Sequence, residues 1–157
     1  MEKTTLTKIK AVINELFEKV GAEADKIEIS QKEDVVQVSI ESSQASLLIG
    51  YHGETLQSLQ LICGLLVQSK TGEWFKIVLD VNNWRKEREE VLKKMALGFA
   101  QKAKFSGNEV IMPVLSASER RIVHLYLSEY SDIQTYSEGE GLARRLIIKP
   151  ILQPQSS

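Results

Sequence analysis

The fold of this chain is decided by the stretch Ser46-Leu47-Leu48-Ile49-Gly50-Tyr51-His52-Gly53-Glu54-Thr55-Leu56. An apolar segment enters a G-x-x-G turn, and a second apolar segment with helical spacing leaves it. Because neither glycine has a Cβ, the backbone can approach another molecule closely at this turn. The amide groups at the start of the second helix point outward and favour an anion. A phosphate backbone is therefore the expected occupant of the turn.

The segments around this turn alternate between helical and strand patterns. Residues 35–40 alternate apolar and polar side chains, and a second strand-like run covers residues 74–81. A bare G-x-x-G is common wherever a glycine ends a helix before a tight turn, so the element order carries more weight than the motif. The predicted order is a helix over about 4–20, strands over about 25–30 and 35–41, a short helix, the turn, a long helix over about 54–69 and a strand over about 74–81.

This order, with the turn at its centre, resembles a type II K-homology (KH) domain over about residues 1–81. In that family the G-x-x-G turn clamps the backbone of about four unpaired nucleotides, and the bases lie in an apolar groove beside it. The resemblance implies that Gly50, Tyr51, His52 and Gly53 contact a nucleic-acid strand.

The two residues between the glycines depart from the family pattern. Family members commonly carry lysine or arginine there, whereas this chain carries Tyr51 and His52, followed by the acidic Glu54. A tyrosine can stack on a base or hydrogen-bond a phosphate, and a histidine can become charged beside a phosphate. The alternative is that the pair forms only an exposed polar loop tip.

Composition limits the classes of function open to the chain. Its 157 residues suffice for one ordinary domain or two small ones, and a hydrophobic content of 43% suits buried cores. A net charge of −1 argues against an indiscriminate polyanion binder, although a local basic patch can still bind. The single cysteine, Cys63, excludes an intrachain disulfide and is expected to pack in the core. No signal peptide or bilayer-spanning apolar run is visible, so a soluble, cytoplasmic protein without membrane insertion is expected.

The second half of the chain begins with a mixed-charge run over residues 85–90, inside a predicted amphipathic helix over about 84–104. Lysine and arginine nearly balance glutamate in this run. A solvated helix face with i,i+4 ion pairs therefore explains the run better than a basic nucleic-acid patch does.

The last third of the chain combines a capping box with an Arg-x-x-x-His motif. Ser116 and Glu119 have the spacing of a capping box at the start of a helix that extends to about residue 130. Arg120 and His124 are four residues apart, so they share one face of that helix. The neighbouring strands are predicted over about 109–113, 133–137 and 143–149, the last two joined by a turn at 138–141.

This region resembles the small domain that is named for its Arg-x-x-x-His motif and binds single-stranded nucleic acid. The match rests on the segments 118–125, 137–141 and 144–150. The resemblance implies that Arg120 and His124 contact the nucleic acid.

Further candidate contacts lie near the end of the chain. Arg144 and Arg145 should point to opposite faces of a strand, so only one of them is expected to face the ligand, and Lys149 shares a face with Arg145. Arg120 offers a permanent planar cation for a phosphate, and His124 can donate to a phosphate or stack on a base. The alternative for His124 is a partly buried imidazole that fixes the helix to the adjoining strands.

A type II KH domain joined directly to an Arg-x-x-x-His domain is the hallmark of the bacterial Jag proteins, also called SpoIIIJ-associated proteins. The chain resembles this family over nearly its whole length. Members often carry a further N-terminal domain. This sequence leaves no room for one before its KH half, so none of that domain's roles is expected here.

These inferences predict an α+β chain of two small α/β-sandwich domains, a KH-like domain over 1–81 and an Arg-x-x-x-His domain over 82–150, with a disordered tail over 151–157. The predicted function is non-catalytic binding of single-stranded RNA, with single-stranded DNA as the second ligand, by both sites together. Without a Gly/Ser-rich linker between them, the domains are expected to hold a fixed mutual orientation. A protein-interaction adaptor is the alternative. No catalytic triad, metal cluster, P-loop or dinucleotide motif is visible, so neither catalysis nor a cofactor or metal is expected.

Overall fold

A computed structural model describes residues 3–32 and 35–151 of the chain. These residues combine helices with two three-stranded sheets and form two compact units, with the division between Arg85 and Lys86. The chain is therefore α+β with two small α/β-sandwich domains, which confirms the predicted fold class. The predicted disordered tail over 151–157 lies outside the described residues, apart from Ile151.

The first unit packs its helices on one face of a three-stranded sheet. Its elements in chain order are α1 (Lys3–Val20), β1 (Lys26–Lys32), β2 (Val35–Glu41), α2 (Ala45–Ile49), α3 (Glu54–Thr71) and β3 (Lys76–Val81), with a 3-10 turn at Tyr51–Gly53. The strand order is β1-β2-β3, with β1 antiparallel and β3 parallel to β2. Alternation along β2 explains the layering, since Val36, Val38 and Ile40 are buried while Gln37 and Ser39 are exposed.

The parallel pairing of β2 with β3 determines where the G-x-x-G turn lies. Parallel neighbours cannot be joined by a tight hairpin and need a crossover connection, which is usually helical. Here the crossover consists of α2, the 3-10 turn and α3, so the G-x-x-G turn interrupts the crossover between two helices. Leu48, Leu56 and Leu59 on either side of the turn are buried in the core and hold both helices to the sheet.

The second unit has a separate core and a wholly antiparallel sheet. Its elements are α4 (Trp84–Ser106), whose first two residues belong to the first unit, β4 (Val110–Ile111), α5 (Ala117–Leu127), β5 (Ile133–Glu138), a 3-10 turn at Gly141–Ala143 and β6 (Arg145–Pro150). The strand order is β4-β6-β5. Apolar side chains of α4, α5 and the sheet form the core, including Leu92, Ala96, Val123, Leu127, Leu146 and Ile148.

The capping box predicted for α5 is confirmed. The Ser116 Oγ atom accepts a hydrogen bond from the Glu119 backbone N–H (3.2 Å), and a Glu119 carboxylate oxygen accepts one from the Ser116 backbone N–H (2.8 Å). The helix ends at Leu127 rather than near residue 130, because the chain turns there toward β5 and the Tyr130 backbone N–H bonds to the Leu127 carbonyl.

Candidate nucleic-acid interface

Both glycines of the G-x-x-G turn occupy positions that a side chain could not share. Gly50 has φ +69°, and a Cβ atom there would overlap the side chain of Thr55, 2.7 Å from its Cβ atom. Gly53 has φ +84°, and a Cβ atom there would overlap the indole ring of Trp84, 2.8 Å from its Cζ3 atom. Positive φ and close contact both require glycine, so the backbone of the turn lies against its neighbours without side chains in between.

The two side chains between the glycines form the tip of the turn. Tyr51 is 75% exposed, and its ring meets the His52 ring edge to face with 4.1 Å between centroids. His52 has φ +49° and ψ +26°, a left-handed conformation that is uncommon for a residue with a side chain. The tip therefore presents an aromatic face, a hydroxyl group and an imidazole to an approaching ligand, in place of a lysine or arginine.

Trp84 and Arg85 brace this site, although nothing in the sequence pattern indicated their roles. Trp84 is half-buried against Gly53. The Arg85 Nε–H donates to the Leu79 carbonyl oxygen (2.8 Å), and its Nη2 donates to the Gln60 side-chain oxygen (2.8 Å). These bonds tie the start of α4 to α3 and β3, which holds the indole ring in place over the glycine.

An apolar surface runs along α3 after the turn. Its large hydrophobic side chains, together with Trp74, are exposed by 37% to 60%: Leu61, Ile62, Leu65, Leu66 and Trp74. We call this surface the α3 apolar face. Leu61 lies about two helical turns after Glu54, so the face begins about 10 Å along the helix from the G-x-x-G turn and extends away from it.

The motif residues of the second unit lie together on α5. The Arg120 Nη1 donates to the Leu115 carbonyl oxygen (2.8 Å), and the side chain is half-buried. A guanidinium has five N–H donors, so this bond leaves most of its donor capacity for a ligand. His124 is exposed, and its Nδ1 lies 2.6 Å from the Thr135 Oγ1 on β5. The imidazole thus contacts a strand, as the structural alternative for His124 anticipated, and still faces solvent.

The chain approaches α5 from Met112, which bonds to Leu146 near the hairpin end of the sheet, and leaves it toward Ile133 at the opposite end of β5, so α5 and β5 run in opposite directions. The His124–Thr135 contact fixes their register. Arg120 lies one helical turn, about 6 Å, before His124, and two strand residues span about the same length. Arg120 therefore lies toward Ser137, at the end of β5 that leads into the hairpin turn.

The remaining candidate residues, Arg144, Arg145 and Lys149, do not all lie on the α5 surface that carries Arg120 and His124. Alternate residues of β6 face opposite sides of the sheet, and Leu146 and Ile148 point into the core beside α5. Arg145 and Lys149 share the other side of the sheet, as predicted, and so lie away from His124. Arg144 was expected on the strand, but β6 begins at Arg145 and Arg144 lies in the preceding turn, so that expectation is wrong.

Lys149 and Arg145 both have partners within the unit. The Lys149 ammonium lies 3.2 Å from a Glu109 carboxylate oxygen, and the Tyr136 hydroxyl donates to the other oxygen (2.9 Å). The Tyr136 hydroxyl and the Lys149 ammonium hold the pKa of Glu109 below its usual range. The Arg145 Nη1 donates to the carbonyl oxygens of Leu142 and Arg144.

A largely buried ion pair stabilises the first turn of α5. The Arg88 Nε lies 2.8 Å from a Glu119 carboxylate oxygen, and their side chains are 18% and 8% exposed. Burial favours the neutral form of this carboxyl. Hydrogen bonds from Ser116 and Arg88 outweigh burial and hold the pKa of Glu119 below its usual range. The charge run predicted as a solvated face does contain an i,i+4 pair with Lys93, but the solvated interpretation is wrong for Arg88.

Neither a reactive cysteine nor a metal site is found within the described residues. Burial raises the pKa of the Cys63 thiol to about 12, so the thiol stays protonated at neutral pH and packs in the core. Within residues 3–32 and 35–151, no group of three or more histidine, cysteine or acidic side chains is placed to hold a metal ion. No helix in those ranges has the length and apolar character needed to cross a membrane.

Comparison with known proteins matches both halves of the chain. The family described as KhpA/KhpB, KH domain matches residues 10–81, and the domain family named for its Arg-x-x-x-His motif matches residues 90–150. The RNA-binding protein KhpB of Bacillus subtilis is 30% identical over 141 residues, which cover 88% of this chain and 67% of that protein.

Two further relatives carry the same name. The RNA-binding protein KhpB of Clostridium symbiosum is 30% identical over 87% of this chain and 62% of its own length. The protein of that name from Streptococcus pneumoniae serotype 2 is 28% identical over 72% of this chain and 34% of its own length. The chain thus spans about one third to two thirds of the length of the curated relatives that it matches. It belongs to the KhpB (Jag) family, in which a KH domain is followed by an Arg-x-x-x-His domain.

Proposed function

We propose that this chain binds unpaired RNA without chemical conversion, through the G-x-x-G turn of a KH module over 1–81 and the α5 surface of an Arg-x-x-x-His module over 82–150. The observation that carries the proposal is the geometry of the turn. Two glycines bring the backbone of the turn directly against Thr55 and Trp84 of the same unit, which fixes the turn, and Tyr51 and His52 project from its exposed tip. The relatives named RNA-binding protein KhpB support the same ligand class.

At the turn, the phosphate backbone of the strand lies against Gly50 and the exposed tip formed by Tyr51 and His52. The Glu54 N–H, the first amide of α3, already donates to the Tyr51 carbonyl oxygen, so that amide does not bind the phosphate. Tyr51 stacks on a base, and His52 donates to a phosphate. Glu54 opposes the approach of phosphate, so we expect this site to depend more on stacking than a lysine-bearing loop does.

At α5, the Arg120 guanidinium is positioned by its bond to the Leu115 carbonyl and directs other N–H groups to a phosphate. His124 is oriented by Thr135 and contacts the sugar or base of the same nucleotide. A contact to the 2′-hydroxyl distinguishes RNA from DNA, and single-stranded DNA is the weaker ligand in this proposal. Arg145 and Lys149 take no direct part, because their side chains have partners on the other side of the sheet.

The test is fluorescence anisotropy with a labelled unpaired RNA and the matching DNA over a salt series. The native chain is compared with Tyr51→Asp/His52→Asp, with Arg120→Gln and with Lys102→Gln, which removes one exposed charge from α4 as a control. We expect the loop variant to bind at least about tenfold more weakly, and Arg120→Gln to bind about tenfold more weakly with a salt slope reduced by about one. Lys102→Gln should match the native chain. Equal affinity in all four proteins would contradict the proposal.

A protein-interaction adaptor is the second candidate function, and the exposed α3 apolar face favours it. Leu61, Ile62, Leu65, Leu66 and Trp74 form a contiguous apolar surface of the kind that marks a protein contact. Salt dependence discriminates the two functions. Phosphate binding weakens steeply as salt rises, whereas an apolar interface does not. Failure of every unpaired RNA to bind at low salt would favour the adaptor.

A further inference from the structure

The turn between β5 and β6 exposes an apolar side chain almost completely. Leu142 is 93% exposed, so it contributes almost nothing to the core of the second unit. Exposed apolar surface is unfavourable in water, and a leucine at the tip of a turn gains by packing against a partner. Phe105, at the end of α4, is the comparable case in this unit, with 97% of its surface exposed.

The turn that carries Leu142 has a fixed conformation. Gly139 has φ +90°, and a Cβ atom there would lie 3.0 Å from the Ala143 carbonyl oxygen, so the turn closes tightly on itself. The Ala143 backbone N–H donates to the Glu140 carbonyl (3.0 Å). The Arg145 Nη1 donates to the carbonyl of Leu142 (2.6 Å). The Leu142 side chain is therefore presented on a braced backbone, which limits the entropy lost when it packs against a ligand.

A cation accompanies the leucine. Arg144 is exposed and follows directly after the 3-10 turn, and its side chain makes no hydrogen bond or ion pair within the part of the chain that the structure describes. Glu138, the last residue of β5, and Glu140 in the turn carry negative charge. An apolar side chain can pack on the exposed base of an unpaired strand, and a single cation can bind one phosphate. The two nearby carboxylates repel the closely spaced phosphates of a duplex, so an unpaired strand fits this turn better.

The turn lies at the end of the surface already assigned to nucleic acid. His124 is level with Thr135, and Arg120 lies toward Ser137, because α5 and β5 run in opposite directions. The turn begins two residues after Ser137 in the same direction. A strand that passes His124 and then Arg120 is therefore directed toward Leu142.

We infer that this turn is a further RNA contact of the second unit, in which Leu142 packs against a base and Arg144 binds a neighbouring phosphate. The inference rests on the proposed function and extends it to a site outside the Arg-x-x-x-His motif. Arg145 is a positioning residue here, since its guanidinium holds the turn through backbone carbonyls and does not touch the ligand.

The test uses the full chain with an unpaired RNA that carries 4-thiouridine, combined with affinity measurements. The variants are Leu142→Ser, Arg144→Gln and the control Phe105→Ser, which removes an equally exposed apolar side chain elsewhere in the unit. We expect cross-links within residues 141–144, a loss of affinity of about tenfold in Leu142→Ser, and a salt slope reduced by about one in Arg144→Gln. Phe105→Ser should bind as the native chain does.

Two results would overturn the inference and leave the proposed function standing. One is RNA binding by the native chain with equal affinity in Leu142→Ser and cross-links only outside the turn. The other is unchanged RNA affinity in Leu142→Ser together with a change in sedimentation, which would assign the turn to a protein contact. A native chain that binds no unpaired RNA at low salt would remove both proposals.

Discussion

The two glycines of the G-x-x-G turn exclude a side chain for different physical reasons. Beside Gly50 the obstacle is Thr55, a small side chain on the first turn of α3. Beside Gly53 it is the indole ring of Trp84, a large rigid group held by the bonds of its neighbour Arg85. A shift of Trp84 would disturb the start of α4, so Gly53 is the more demanding position.

Gly53→Ala should therefore destabilise the first unit more than the positive φ alone predicts. Gly72 supplies the matched control, since its φ is +79° and a Cβ atom there meets nothing within 4 Å. We expect a loss of unfolding free energy of about 1 kcal/mol for Gly72→Ala, from backbone strain, and about 3 kcal/mol for Gly53→Ala, from strain and overlap with the indole. Urea unfolding followed by tryptophan fluorescence measures both.

A third variant tests the cause of the difference. Adding Trp84→Ala to Gly53→Ala removes the overlapping ring, so the two substitutions together should cost less than the sum of their separate costs. Strict additivity, or equal losses in Gly53→Ala and Gly72→Ala, would show that the ring does not restrict the turn.

At the scale of elements, α5 depends on one carboxylate at its first turn. Glu119 closes the capping box with Ser116 and pairs with Arg88 of α4, and it is buried where both meet. The helix that carries Arg120 and His124 is thereby fixed at its N-terminal end. Since donated hydrogen bonds keep the pKa of Glu119 low, the charged form is the one that the folded unit stabilises.

The dependence of α5 on the charged form of Glu119 predicts that the stability of this helix decreases in acid. A carboxyl whose pKa is lower in the folded state contributes its stability above its usual pKa and loses it as the pH falls through the lowered value. Native protection of α5 amides against hydrogen exchange should therefore fall between about pH 5 and pH 3. Glu119→Gln should cost about 2 kcal/mol at neutral pH and flatten that decline. Glu129→Gln, which changes an exposed carboxylate just after the end of α5, should leave the decline unaltered. Equal profiles for both variants would refute the role of Glu119.

Elements with a local signal were predictable from the sequence, and contacts between distant segments were not. The capping box of α5 and the alternation along β2 are encoded in adjacent residues, and both match the structure. No local pattern places Trp84 over Gly53 or Arg88 against Glu119, because tertiary packing alone brings those residues together. Arg144 was assigned to a strand because its apolar neighbours continue the pattern, whereas the 3-10 turn delays the start of the strand by two residues, from Ala143 to Arg145.

For the whole molecule, net charge constrains how the proposed RNA ligand can be held. With a charge of −1 the chain gains little from long-range attraction to a polyanion, so affinity must come from local contacts. Among the described residues, the G-x-x-G turn itself, Gly50–Gly53, contains no lysine or arginine. Two weak sites on one chain reach useful affinity when a single strand occupies both, since the first contact raises the effective concentration of the second.

This argument predicts that affinity depends on strand length, and that the two sites are coupled only on the longer strand. An RNA of about four nucleotides fills one KH site, so Arg120→Gln should not change its affinity. A strand of roughly twelve nucleotides that reaches both units should bind at least about tenfold more tightly, and Arg120→Gln should remove most of that gain. Fluorescence anisotropy with both lengths at one salt concentration measures this. Tyr51→Asp/His52→Asp is the reciprocal variant and should weaken both strands. If the longer strand gains nothing over the shorter one, or if Arg120→Gln weakens both equally, the two units do not share one strand.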